Sequence, residues 1–155
     1  MDSLLAVDLG LKTAFALYRQ DGLLFWYRSQ NFGTATRLRK GAYNLLGSIP
    51  NLVWLVIEGG GSLAEIWERE AERRQISVNR VNAEQWRSRL LYLRKRRNGP
   101  QAKHNAVEMA RRVIEWSGAH RPTSLRHDTA EAILIGLWAV LELGWLEHLP
   151  PALRF

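Results

Sequence analysis

The chain of 155 residues contains no cysteine. That excludes a disulfide framework and any thiolate metal site. Its four histidines, His104, His120, His127 and His148, are scattered without zinc-ligand spacing. A bound metal would therefore sit on oxygen ligands, which selects magnesium or manganese over zinc. No apolar run is long enough to span a membrane. The longest candidate, Ala130–Leu146, is interrupted by Glu131 and Glu142. The first strand is expected at about Ser3, which leaves no room for a signal or transit peptide. A soluble protein of the cytoplasm is expected. Hydrophobic residues make up 46% and charged residues 24%, a balance that speaks for a folded globular chain and against disorder. One domain covering residues 1–155 is expected at this length.

Acidic residues are also scarce in one place. The formal net charge is +7, and it is unevenly spread. Arg87, Arg89, Arg94, Lys95, Arg96, Arg97, Lys103, Arg111 and Arg112 are opposed over that interval by Glu108 alone, a net +8, which leaves −1 for the rest of the chain. A basic region inside an otherwise neutral domain is the footprint of a polyanion partner. The alternative is a solvated helix face, which would normally mix signs.

What is present begins with an apolar run, Leu4–Val7, that fits a strand buried on both faces and ends in Asp8. Gly10 allows a tight turn, and Thr13–Tyr18 resumes as a second strand. Asp21-Gly22 is a hairpin signal before a third strand, Leu23–Ser29. Thr34 can cap a helix running to Ser48, with Leu38, Ala42, Leu45 and Leu46 on one side. Leu52–Ile57 is a second wholly apolar strand, ending in Glu58 and followed by Gly59-Gly60-Gly61. Ser62 with Glu65 reads as a capping box for a helix over Ser62–Arg74, whose Leu63, Ile66, Trp67 and Glu70 share a face. A short strand, Ile76–Val81, precedes a helix capped by Asn82 and running to about Leu91. Tyr92–Pro100 reads as a basic loop. Helices are expected over Gln101–Trp116, with Ala106, Met109, Ala110 and Val113 inward, and over Arg126–Leu143, packing through Ile133, Leu134, Leu137, Trp138 and Leu141. This order predicts an α/β fold: a mixed five-stranded sheet with three antiparallel and two parallel strands, and helices on both faces. The fourth strand lies parallel beside the first. Asp8 and Glu58 then share the C-terminal edge, where open sheets place their sites.

Asp128 and Glu131 stand three apart on the last long helix and point off one side. A turn-forming role for Asp8, a cap for Asp128 and a first-turn acid for Glu131 are the alternatives. Taken together, Asp8, Glu58, Asp128 and Glu131 could hold two divalent ions about 4 Å apart. That arrangement serves in-line hydrolysis of a phosphodiester, and the basic segment suits such a substrate.

Leu5-Ala6-Val7-Asp8-Leu9-Gly10, Val56-Ile57-Glu58 and His127-Asp128-Thr129-Ala130-Glu131-Ala132 resemble the RuvC-type Holliday-junction resolvases of the ribonuclease H-like superfamily. The resemblance runs over nearly the whole chain in order and spacing, and its last motif is the specific one. It implies that Asp8, Glu58, Asp128 and Glu131 are both catalytic residues and metal ligands, with two Mg2+ or Mn2+ ions per site. It implies phosphate contacts from Lys103 and from Arg87 or Arg89; the charge of the basic segment adds Arg94, Lys95, Arg96 and Arg97 as DNA-binding residues. It implies a homodimer formed through Ser62–Arg74, acting on branched DNA, the four-way junction, as a metal-dependent endonuclease of DNA recombination and repair near the nucleoid. Alternatives are an RNA-processing nuclease like the YqgF family and a non-catalytic junction-binding protein. The chain departs from the family in three places. Glu131 is one methylene longer than the usual Asp. Gly61 stands where the family carries an aromatic that enters the junction, which leaves Trp67 or Tyr92 as substitutes unless they are core or surface. His127 adjoins Asp128 and is read as an exposed surface histidine, with orientation of the attacking water as the other reading. The tryptophans in apolar runs, Trp54 and Trp138, are read as core.

Overall fold

The computed structural model describes residues 1–91 and 99–154. Tyr92, Arg94, Lys95, Arg96, Arg97 and the side chain of Lys103 lie outside the described residues. The strands are β1 (Ser3–Asp8), β2 (Lys12–Arg19), β3 (Leu24–Asn31), β4 (Leu52–Glu58) and β5 (Ser77–Val81). The helices are α1 (Ala35–Ser48), α2 (Gly61–Arg73), α3 (Ala83–Leu90), α4 (Gly99–Ser117) and α5 (His127–Glu142). One sheet takes the order β3-β2-β1-β4-β5. β1, β2 and β3 pair antiparallel, while β4 lies parallel to β1 and β5 parallel to β4. This is the mixed sheet that the order of elements predicted. Among the described residues no helix is long and apolar enough to cross a membrane.

The apolar run of β1 serves two cores. Leu4 and Ala6 face one cluster with α3, α4 and α5, whereas Leu5 and Val7 face the other with α1 and α2. Side chains alternate across a strand, so Asp8 follows Leu4 and Ala6 toward the α5 side. Val56 belongs to that same cluster, which puts Glu58 on the same side. Asp8 and Glu58 are register partners across the parallel β1–β4 ladder. Two carboxylates thus leave neighbouring strand ends in one direction.

α5 closes on that face at short range. The sheet offers Ala6, Ala14 and Ala16 there, all fully buried. Tyr18 donates its hydroxyl to the Ile133 carbonyl at 2.5 Å. A Cβ on Gly136 would fall 2.2 Å from Tyr18 Cε1. From Thr129 to Leu141 every residue of α5 is buried. The expected single packing face is therefore too narrow a reading: sheet, α3 and α4 together enclose the helix, as its all-round apolar sequence requires.

α2 differs from expectation at its start. Ser62 lies inside the helix; Gly60 is the cap residue and no side chain caps it. Gly59 and Gly61 have φ of 122° and 76°, a left-handed backbone that glycine adopts without Cβ strain. These residues turn the chain into α2, which begins three positions after Glu58. The buried face of α2 is Ala64, Trp67, Glu70 and Ala71, with Leu63 and Ile66 half-buried. Glu70 tolerates burial because Arg74 Nε and Arg73 bind it at 2.9 and 3.4 Å.

Gly136→Ala measures how closely α5 is seated. In an exposed helix this change stabilises by up to about 1 kcal/mol. Here the overlap with Tyr18 reverses the sign, and overpacking should cost about 1–3 kcal/mol in urea unfolding. An unchanged or raised midpoint would show that the helix can stand off from the sheet.

Candidate active site

Three elements converge at the C-terminal edge of the sheet. Asp8 ends β1, Glu58 ends β4, and Glu131 projects from the first turns of α5. Carboxylate oxygens of these three residues lie within 4.8 Å of one another. Asp8 and Glu58 are half-buried, and Glu131 is 8% exposed. Burial pushes the Asp8 carboxyl from 3.8 up to about 8, helped by the charges of Glu58 and Glu131, a hydrogen bond shared with Glu58, and the charge of Asp128.

Each of the other two acids has its own partners. The indole Nε1 of Trp86 donates to Glu58 Oε1 at 2.6 Å. The Arg87 guanidinium donates to Glu131 Oε1 at 3.1 Å and lies over the Trp86 ring, 5.0 Å from its centroid. His127 Nε2 binds the same Glu131 oxygen from one turn earlier on α5. His127 is thus half-buried and engaged at the centre, which corrects its reading as an exposed surface histidine. Its Nδ1 is buried with no hydrogen-bond partner among the described residues.

Asp128 stands beside the group without joining it. Its Oδ1 accepts from the amide of Thr129 at 2.8 Å, and Arg126 Nε is 3.8 Å away. It is near enough for its charge to act on Asp8. Arg87 is at the centre, held on Glu131. Arg89 points elsewhere and pairs with Glu142 near the far end of α5. Trp67 is fully buried, edge-on to Phe15 at 5.5 Å between centroids. It is a core residue and does not stand in for the missing aromatic at Gly61. Trp138 is buried and Trp54 packs partly buried against the α5-side core, as their apolar surroundings predicted.

Sequence reasoning missed Trp86. Its position was nevertheless written locally. Asn82 and Gln85 form a reciprocal capping box at the start of α3. Val81 then occupies the position before the cap and Trp86 the fourth helical position, the pair that forms a hydrophobic staple. Both lie in the α5-side core. Val81 is also the register partner of Glu58, so the staple delivers the indole to that carboxylate.

The donor set suits a hard divalent cation. All three converging groups are carboxylates, they come from separate elements, and burial together with the neighbouring negative charge raises the pKa of one of them, Asp8. Asp8, Glu58 and Glu131 could hold a metal ion, with Asp128 close by.

Comparison with known proteins adds the fold. No family model matches the sequence, and no curated protein matches it. Among solved structures, the chain resembles T. thermophilus RuvC in complex with a Holliday junction substrate, with a TM-score of 0.66 and 12% identity over 93% of this chain and 97% of that one. The fold is ribonuclease H-like, of the RuvC type.

The crowding at Asp8 has a measurable sign. In the metal-free protein the folded state keeps a proton that the unfolded chain releases above 3.8. The stability this proton confers is full below that value and is lost as pH rises through about 8. With EDTA present, the melting temperature should therefore fall as pH rises from 3.8 toward about 8 and level off above that. Asp8→Asn should remove most of that fall. A wild-type melting temperature with the same pH dependence as the variant would contradict the arrangement.

Proposed function

We propose that this chain is a metal-dependent, structure-selective DNA endonuclease that resolves four-way junctions by paired, symmetric phosphodiester hydrolysis. The observation that carries this reading is the convergence of Asp8, Glu58 and Glu131 within 4.8 Å at the sheet's C-terminal edge, on a fold shared with a RuvC seen with a Holliday junction. In this reading Asp8, Glu58, Asp128 and Glu131 hold two Mg2+ or Mn2+ ions. When bound, the ions supply activation of a water and charge stabilisation at the leaving 3′ oxygen. Asp128, which accepts from the Thr129 amide in this structure, would be the fourth carboxylate of that set.

The protein's own groups do the rest. Arg87 sits at the centre on Glu131. Its guanidinium, with a planar fork suited to phosphate, would contact the scissile phosphate beside the carboxylates that would hold the ions. Lys103 and the Arg94–Arg97 run would add positive charge for the DNA backbone. Two copies paired through α2 would present two sites to the two equivalent strands of a junction. Leu63 and Ile66 remain available for that contact, while Trp67 is spent on the core. A place with the nucleoid in the cytoplasm goes with this reading.

The test is cleavage of a synthetic four-way DNA junction in Mg2+, with strand-resolved mapping of the nicks. Paired nicks at symmetric positions are expected from the wild type. Asp8→Asn should reduce cleavage below detection while binding in Ca2+ stays within about twofold, since the basic surface is untouched. Cleavage by Asp8→Asn at the wild-type rate would sink the metal assignment. Random, unpaired nicks would point to a general nuclease on this fold.

Replacing Arg94, Lys95, Arg96 and Arg97 together with alanine tests the basic segment. Each phosphate that the variant no longer neutralises should lower the slope of log affinity against log salt by about 0.9, or about 3.6 for all four. Filter binding at several salt concentrations reads this, and an unchanged slope would remove these residues from the DNA interface.

A further inference from the structure

We infer that Trp86 is a positioning residue of the metal centre, which fixes the Glu58 carboxylate through its indole N–H and carries Arg87 on its ring. The inference rests on the reading of Asp8, Glu58 and Glu131 as cation ligands.

The geometry is specific. Trp86 is fully buried, and a buried indole N–H usually finds an acceptor. Most proteins satisfy that need with a backbone carbonyl or water. Here the acceptor is a carboxylate oxygen of the centre itself, at 2.6 Å. Burial alone does not force this outcome, because Trp67 is as deeply buried and its Nε1 has no partner among the described residues. The indole is also the neutral donor at this site. Arg87 and His127 bring or can bring positive charge to Glu131, whereas the indole holds Glu58 without cancelling its negative charge. A carboxylate keeps a second oxygen and further lone pairs when one is occupied. Glu58 thus stays aimed at Asp8 and Glu131 while retaining capacity for a cation.

The support behind Trp86 is rigid. The Asn82–Gln85 capping box fixes the first turn of α3, and Val81 ties that turn to the strand beside Glu58. The indole is therefore built into the frame before any ligand arrives. The same ring sits under the Arg87 guanidinium, 5.0 Å from the centroid, and Arg87 reaches Glu131. One side chain thereby sets the geometry of two of the three carboxylates, one directly and one through its neighbour in sequence. Partners of metal ligands typically change affinity by about 10–100-fold when removed.

Trp86→Phe deletes the N–H and keeps most of the ring volume. Mn2+ affinity, measured by calorimetry on folded protein checked by circular dichroism, should weaken about 10–100-fold. Cleavage should fall at low Mg2+ and recover toward the wild-type rate at saturating Mg2+. A role in packing alone would instead lower the melting temperature and cut cleavage at every Mg2+ concentration, with Mn2+ affinity unchanged. Unchanged affinity in folded Trp86→Phe overturns the inference. Nuclear magnetic resonance of the wild-type chain gives an independent readout if that variant does not fold. Of the seven tryptophans, one indole 15N–1H signal should be displaced both by Glu58→Gln and by Mg2+ added to the wild type. If no signal responds to both, the inference fails. Should the wild type bind Mn2+ but cut no junction, the endonuclease reading falls while the affinity comparison still decides the role of Trp86.

Discussion

Three carboxylate oxygens within 4.8 Å of one another repel, and the rest of the structure is arranged to hold them there. At an effective dielectric of 20, two unit charges at such a distance cost on the order of 3 kcal/mol, against about 5–15 kcal/mol for the net stability of a typical domain. The protein meets this cost without relaxing the geometry. Asp8 keeps a proton, Arg87 and His127 sit on Glu131, and the Trp86 indole sits on Glu58. Each compensation is one that an incoming divalent cation can replace or tolerate.

The fold serves the same end. β1 and β4 are parallel and in register, so their last residues emerge side by side. α5 supplies the third acid, and its position is fixed by burial on all sides, by the Tyr18 hydroxyl and by the close approach at Gly136. A small shift of α5 along the sheet would carry Glu131 out of reach. The tight packing below the centre therefore sets the spacing of the carboxylates above it.

Much of this was legible in the sequence because it is local. The apolar runs of β1 and β4 and their terminal acids read directly, since strands buried on both faces show no alternation. Asn82 and Thr34 announced α3 and α1, and both cap as expected. The Ser62–Glu65 pattern misled, because the glycines before it start α2 earlier than the capping signal does. What the sequence did not disclose are contacts between elements. Nothing in the neighbourhood of Trp86 says that its indole meets Glu58, 28 residues away. Likewise the three-residue spacing of Asp128 and Glu131 is compatible with a shared cation, yet Asp128 turns to its own helix terminus and His127, one position earlier, reaches Glu131 instead. Which of two adjacent residues faces a site depends on helix phase relative to the sheet, and that is decided by the packing of Gly136 and Ile133 far along α5.

The central claim is that Asp8, Glu58 and Glu131 form one cation centre. Crystals soaked in Mn2+ and measured at the manganese absorption edge test it most directly. The account predicts an anomalous peak within about 2.3 Å of carboxylate oxygens from all three residues, with Arg87 displaced from Glu131. A peak elsewhere on the molecule, or none at the sheet edge with Arg87 still on Glu131, would contradict it.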